Sequence, residues 1–471
     1  MIRFGTGGWR AVIGDGFTKE NVQILARAMA DKMKNEGLAD KGIVLGYDRR
    51  FLSKEAMQWA AVVFAAEGIK ARLINKSSPT PLVMFYVMKH ELPYGMMVTA
   101  SHNPAIYNGI KLFTYGGRDA DEKVTADVES YIDRVELPVK ALEYDDAKKE
   151  GLIEEFYPIN EYIDNILDRV NVEAIKAAGL RVALDPMYGV SETAIKTILL
   201  TARCEMETIH GRHDTLFGGK LPAPNEAAMN PLKNCVIDNH CDIGIATDGD
   251  ADRIGVVDDR GRYLSPNDIL VLLYYYLVCY RKETGPVVRN LCTTHMLDAI
   301  ADRFGQKSYE VPVGFKHISA KITETDALIG GESSGGLTVR GHINGKDGVY
   351  AAALLVEMLA VTGKKISELY DDIKKEYGNF FMLEQNYSFR AEDKQKYIQI
   401  LMEDKVLPAF DAEIDRTSYL DGCKVYFKNG GWVCVRFSGT EPLLRIFCEM
   451  PEKALAKKTC DAYRDLLGLE E

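Results

Sequence analysis

The chain has 471 residues, room for about three domains with four tolerable. Its 46% hydrophobic and 27% charged content, without a low-complexity tract, excludes a disordered or fibrous chain, and a net charge of −11 argues against a nucleic-acid or membrane-surface role. The longest apolar run, Ile269 to Tyr280, falls short of the roughly 18 residues that span a bilayer, the N-terminus carries no signal pattern, and nine cysteines without a CxxC pair suit reduced thiols, so a cytoplasmic protein is expected.

Gly5-Thr-Gly-Gly-Trp-Arg10 is glycine-rich but has no adequate strand before it, so it is not a dinucleotide fingerprint. Ile43 to Asp48 reads as a strand ending in a carboxylate. Ser53 follows as a candidate N-cap, then a helix from about Lys54 to Glu67 closed by Gly68. Met96-Met97-Val98 reads as a further strand, and Thr99-Ala-Ser-His-Asn-Pro104 follows it, with Asn108-Gly-Ile-Lys111 behind. Ser101 then stands at a strand end of an α/β sheet, where a nucleophile is exposed, and Lys111 is its candidate proton-transfer partner.

Charged, helix-prone sequence from Ala141 to Val172 bridges to a second unit. There Leu180 to Asp185 repeats the strand ending in Asp, followed by Ser191 and a helix from Glu192 to Leu200. A third start, Pro286 to Asn290, leads to Thr294 and a helix closed by Gly305. Each unit continues through a second strand and a second helix to an apolar run that ends in a polar loop. Those loops are Thr99–Pro104, Thr247–Arg253 and Gly330–Gly336. The recurrence predicts three related α/β domains with mixed sheets around a central cleft. From Tyr377 the pattern changes. A strand (Phe380 to Gln385), a helix (Glu392 to Met402), three strand-like runs (Gly422 to Phe427, Gly431 to Phe437, Leu443 to Glu449) and a last helix (Pro451 to Leu467) predict a smaller α+β domain with an antiparallel sheet. The expected domains are 1–150, 151–256, 257–376 and 377–471.

Asp248-Gly-Asp-Ala-Asp-Arg253 places three carboxylates at alternate positions, able to converge on one hard divalent cation. An EF-hand would want Gly at loop position six and Glu at twelve, where this chain has Arg253 and Asp259. Arg253 beside the carboxylates suits a phosphate that bridges to the metal. In Gly330-Gly-Glu-Ser-Ser-Gly-Gly336, Glu332 and Ser334 suit the hydroxyls of a polyol, and Lys316 of Gly314-Phe-Lys-His317 adds a cation, with His317 read as structural. Arg436-Phe-Ser-Gly-Thr-Glu-Pro442, with Arg445, has the arginines, hydroxyls and glycine of an anion cradle.

Together and in this order, F-G-T-G-G-W-R at 4–10, T-A-S-H-N-P at 99–104, D-G-D-A-D-R at 248–253, G-E-S-S-G-G at 331–336 and R-F-S-G-T-E-P at 436–442 resemble the α-D-phosphohexomutase family over essentially the whole chain. The resemblance implies four domains around a cleft and a phosphoserine that donates to either hydroxyl of a hexose monophosphate, through a hexose 1,6-bisphosphate that also serves as activator. Ser101 would be the phosphoserine, and Asp248, Asp250 and Asp252 would hold Mg2+ together with a phosphoryl oxygen on Ser101. Arg10, His102, Lys111 and Arg253 match positions at the reacting phosphoryl group. Lys111 would move the proton if nearby cations lower its pKa toward neutrality. Glu332 and Ser334 would contact sugar hydroxyls, while Arg436, Ser438, Gly439 and Thr440, with Arg445 near by, would grip the idle phosphate. The resemblance implies glucose phosphate as first substrate and mannose phosphate as second. A metal-dependent sugar phosphatase and a non-catalytic sugar-phosphate sensor are the alternatives.

Overall fold

In a computed structural model, which describes residues 2–5, 7–438 and 442–469, each expected repeat is built strand, helix, strand, helix, strand. The first lies in a seven-stranded sheet. Its strands are β1 (Trp9–Val12), β2 (Ile43–Tyr47), β3 (Ala71–Ile74), β4 (Tyr94–Val98), β5 (Tyr107–Thr114), β6 (Arg118–Asp119) and β7 (Ile153–Phe156). Their order is β1-β5-β4-β2-β3-β7, with β6 on β5. Strands β4, β2, β3 and β7 run parallel, and β5 is antiparallel to both β4 and β1.

The second sheet contains β8 (Arg181–Asp185), β9 (Glu205–Thr208), β10 (Ile243–Thr247), β11 (Ile254–Val257) and β12 (Tyr263–Leu264), ordered β12-β11-β10-β8-β9. In the third repeat β13 (Val287–Asn290) lies between β14 (Ser308–Val311) and β15 (Ile329–Gly331), all parallel. Every repeat therefore sets its first strand between its second and third. The loop after the third strand emerges beside the end of the first, at the switch point where such sheets bind ligands.

The apolar strands are continuous because helices cover them. Leu45, Met96 and Val98 are fully buried, worth about 1.5–3 kcal/mol each. Gly46 and Gly95 let the helix Thr80–Lys89 lie close, since a Cβ at either would meet Val83 or Val87 at 2.5 Å. Each first strand ends in a side-chain oxygen that turns the chain. Asp48 Oδ1 accepts from Arg50 N at 2.9 Å, Asp185 Oδ1 from Met187 N at 2.7 Å, and Asn290 Oδ1 from Cys292 N at 2.9 Å.

After β16 (Leu337–Val339) and the helices Gly348–Thr362 and Ile366–Tyr377 comes an antiparallel sheet of β17 (Phe381–Ser388), β18 (Ile414–Ser418), β19 (Cys423–Phe427), β20 (Trp432–Phe437) and β21 (Leu443–Met450). The order is β17-β21-β20-β19-β18. The helix Lys453–Leu467 supplies Cys460 and Tyr463 to the same core as Val425, Val433, Val435 and Ile446.

Several local expectations are corrected. Ser53 is the first residue of its helix, not the cap: Leu52 holds that place at φ +62°, and Ser53 Oγ donates to Asp48 Oδ1 at 2.8 Å. The bridging segment contains β7, which carries the first sheet to Phe156. The expected helix from Glu392 to Met402 is a 3-10 turn, five α-helical residues and a π-helical turn. Strand β18 was not expected, because Ile414-Asp-Arg-Thr-Ser418 is almost wholly exposed. The chain forms two compact units, Met1–Ile269 with Ser334–Glu368, and Leu270–Ser333 with Leu369–Glu471. No helix among the described residues is long and apolar enough to cross a membrane.

Candidate active site

In the first unit Ser101 sits just past β4, 1% exposed, with φ +52°. A non-glycine residue enters this left-handed region at a cost of about 1–3 kcal/mol, so its surroundings must enforce it. Ser101 Oγ donates to Asp248 Oδ2 at 2.7 Å, and His102 Nδ1 lies 3.3 Å from Ser101 Oγ. Strand β1 pairs with β5, Arg10 opposite Gly109, and Arg10 Nη1 donates to Asn103 Oδ1 at 2.5 Å.

The carboxylates of Asp248, Asp250 and Asp252 are buried in the loop after β10, each offering an oxygen within 4.8 Å of the others. Gly249 makes this possible: a Cβ there would lie 2.8 Å from Ser101 O, so the two loops meet backbone to backbone. Lys111, on β5 opposite Met97, donates to Asp250 Oδ2 at 2.7 Å and Asp252 Oδ2 at 2.6 Å. Lys346 Nζ lies 3.3 Å from Asp252 Oδ2, Thr80 Oγ1 donates to Asp250 Oδ2 at 2.7 Å, and Arg253 N donates to Asp248 Oδ1 at 3.0 Å.

Burial and the charges of Asp250 and Asp252 push the Asp248 carboxyl well above the usual carboxylate range. Burial acts the same way on its neighbours, but Lys111 holds Asp250 below its ordinary value, and Lys111, Lys346 and Arg253 do so for Asp252. Burial pulls Lys111 down, yet Asp250 and Asp252 outweigh both it and Arg10 and hold the ammonium above its ordinary value. The nearby cations thus do not outweigh these two carboxylates, and Lys111 is not lowered toward neutrality. Burial, then Arg253 and Arg10, keep His102 neutral.

Asp250 Oδ1 and Asp252 Oδ1 are buried and accept no hydrogen bond among the described residues. Two orphaned carboxylate oxygens beside Asp248 are the hard donor set that a divalent cation such as Mg2+ takes. The residues present fit such an ion.

Sequence reasoning missed two cations. Arg50 lies under the Ser101 loop, and its only signal was a basic pair directly after the strand-end Asp48. Lys346 reaches Asp252 from 94 positions along the chain. Its signal was a Lys-Asp-Gly ahead of an apolar helix. A Cβ on Gly336 would lie 2.2 Å from Lys346 Cδ, so the lysine stem occupies the space beside that glycine.

In the second unit Glu332 is nearly buried, and its Oε1 accepts from Gly314 N at 3.1 Å. Lys316 and His317 are half-buried in the first turn of the helix Phe315–Thr325. Ser334 is exposed and belongs to the first unit, since the division falls within this loop. Arg436 on β20 stands directly opposite Arg445 on β21. Like charges at one rung repel, and each has an acid near it: Arg436 Nη2 lies 3.3 Å from Asp421 Oδ2, and Arg445 Nη1 lies 3.5 Å from Glu384 Oε1. Arg436 Nε is buried and makes no hydrogen bond among the described residues. Ser438 N donates to Leu443 O at 2.8 Å, while Gly439 and Thr440 lie outside the described residues.

Four family models cover the chain in order: Phosphoglucomutase/phosphomannomutase, alpha/beta/alpha domain I at residues 1–138, domain II at 160–261, domain III at 265–377, and the C-terminal domain at 389–466. A Thermococcus kodakarensis phosphoglucomutase/phosphomannomutase is 31% identical over 459 residues, 97% of this chain and 96% of the relative. A Sulfurisphaera tokodaii phosphoglucosamine/phosphogalactosamine mutase is 26% identical over 98% of both chains. A solved phosphoglucomutase/phosphomannomutase family protein from Burkholderia thailandensis shares the fold, with TM-score 0.83 at 22% identity over 99% of this chain and 98% of its own. The chain belongs to the phosphoglucomutase/phosphomannomutase family, enzymes that move a phosphoryl group within sugar phosphates.

Proposed function

We propose that the protein interconverts hexose 1-phosphates and hexose 6-phosphates by passing a phosphoryl group through Ser101, with a hexose 1,6-bisphosphate as intermediate. The observation that carries this reading is the Ser101–Asp248 hydrogen bond among three buried carboxylates and four cations, the buried Lys111 and Lys346 and the half-buried Arg10 and Arg253. A serine oxygen attacks phosphorus only where its partner is held in line and the incoming charge is neutralised. Four cations against three carboxylates leave the site positive toward a phosphoryl group.

Asp248, Asp250 and Asp252 would hold the metal, Mg2+ in our reading, and such an ion supplies Lewis-acid stabilisation to phosphoryl oxygens. Arg10 Nε and Arg253 Nε are buried and make no hydrogen bond among the described residues, so both would be free to donate to those oxygens. His102, neutral, keeps a ring nitrogen near Ser101 Oγ. Lys111, hydrogen-bonded to Asp250 and Asp252, would give a proton to Ser101 Oγ as the phosphoryl group leaves and take one in return from the sugar hydroxyl that receives it. Glu332, Ser334 and Lys316 read the sugar, and Arg436, Arg445, Ser438, Gly439 and Thr440 grip the idle phosphate.

Glucose phosphate is the substrate we favour, with mannose phosphate second, in line with the name of the Thermococcus relative. The Sulfurisphaera relative's name favours a second reading, an amino sugar phosphate. The test is a Mg2+-dependent assay with glucose 1-phosphate, mannose 1-phosphate and glucosamine 1-phosphate in parallel, each primed with its bisphosphate. A 6-phosphate is expected, and the rates rank the sugars. Free phosphate without a 6-phosphate would make the protein a phosphatase, and silence on all three would leave a sensor. Ser101→Ala should abolish turnover with the fold intact by circular dichroism.

A further inference from the structure

We infer that Arg50 is a positioning residue for phosphoryl transfer, holding Ser101 in the left-handed backbone that aims its Oγ at Asp248. The guanidinium is buried and donates through Nη2 to Ser101 O at 2.6 Å and Asn103 O at 2.7 Å, and through Nη1 to Pro104 O at 2.9 Å and Tyr107 O at 3.0 Å. Asp48 anchors it, with Oδ2 3.3 Å from Arg50 Nε, and the Phe217 ring lies 4.8 Å from its centre. The same carboxylate reaches Ser101 from its other side. Thr99 Oγ1 donates to Asp48 Oδ2 at 2.7 Å and accepts from Ser101 N at 2.8 Å. Both backbone polar groups of Ser101 are thus tied to Asp48, one arm running through Thr99 and the other through Arg50.

The fold itself does not ask for an arginine here. Asp185 and Asn290 make the same turn at the same place in the other two repeats, with Met187 and Cys292 where the first repeat has Arg50. The second repeat also holds a non-glycine residue, Ala251 at φ +62°, in its corresponding loop; what sets the first repeat apart is that its residue at φ +52° is the serine proposed as nucleophile. Such a residue relaxes unless its neighbours hold it. Four carbonyl oxygens converging on one place need a rigid group with several fixed donors, which guanidinium provides and a mobile ammonium does not.

The activity arm of the test rests on the mutase reading above. Arg50→Met keeps the apolar stem against Phe217, and Arg50→Lys keeps the charge. In an active parent, Arg50→Met should lower kcat at least ~100-fold with KM for the hexose 1-phosphate within about threefold, as expected for misplacement of a reacting atom. Arg50→Lys should recover only part of that loss. Independently of turnover, hydrogen exchange at the amides of residues 99–107 should quicken in both variants. A kcat within about threefold of the parent would overturn the inference, as would unchanged exchange at 99–107. Should Arg50→Met fail to fold, Arg50→Lys carries both readouts, and Thr99→Val cuts the other arm with the same expected pattern. A parent without mutase activity would defeat the functional reading and leave the exchange result to decide on Arg50.

Discussion

A methyl group at position 249 has nowhere to go, because it would press on Ser101 O from one side and on Pro222 Cγ, 3.3 Å away, from the other. Gly249→Ala must therefore part the two loops whose side chains meet at the serine. We expect about a 100-fold loss of kcat with a stability cost of about 1–3 kcal/mol by urea unfolding; full activity would show that the loops tolerate separation. Single residues were legible in the sequence wherever their chemistry was announced locally. Ser101, the three aspartates and Arg436 stand in short ordered motifs at or near strand ends. Arg50 and Lys346 were not legible, because each matters through a long-range contact, with carbonyls in one case and a carboxylate in the other. The condition attached to Lys111 could not be weighed for the same reason: only the structure shows two carboxylates within hydrogen-bond reach of its nitrogen.

At the scale of elements, the helix Gly348–Thr362 is apolar almost throughout and depends on its N-terminus for orientation. Asp347 caps it by accepting from Val349 N at 2.8 Å and Tyr350 N at 2.9 Å. The same carboxylate takes Tyr162 Oη at 2.8 Å and lies 2.7 Å from His342 Nε2, all of it buried. Asp347→Ala should cost about 3–5 kcal/mol, since it removes a cap and strands two buried polar partners; a loss below about 1 kcal/mol would mean that the neighbours repair themselves. Because Lys346 is the preceding residue, we expect kcat to fall in this variant even where it is fully folded. Elements were legible where period and punctuation agreed, as in the three strands that end in Asp or Asn. Strand β7 was hidden because its middle residues, Glu154 and Glu155, are exposed and charged at a sheet edge, which reads as helix surface. Ser53 looked like a cap, but its hydroxyl serves the strand-end carboxylate instead.

Two solution properties belong to the whole molecule. In the second unit His295 is half-buried beside Lys424 Nζ at 3.1 Å and Glu310 at 3.7 Å, with Arg289, Asp298 and Glu449 around it. Burial, then Arg289, pushes its pKa down to about 3. The unfolded chain takes up that proton near pH 6.5, so this contribution is complete above pH 6.5 and is lost as pH falls toward 3, by at most about 1.4 kcal/mol per pH unit. The buried Glu449 carboxyl, raised by burial, acts in the opposite sense, so the measurement is the difference between the parent and His295→Gln in urea unfolding from pH 7 to 5. Equal slopes would refute the prediction. In the first unit a divalent cation would offset the burial and the repulsion that raise Asp248, so Mg2+ at about 100-fold over its Kd should add about 2.7 kcal/mol to stability; Asp248→Asn should abolish the gain and chelation reverse it. The facing arginines of the C-terminal sheet carry a last consequence. Asp421 and Glu384 already sit beside them, so on the function proposed above an arriving phosphate would trade counterions with the protein instead of meeting bare charge. Its net affinity would be the difference between two ion pairings, and a bisphosphate that has to turn over would meet a hold it can leave.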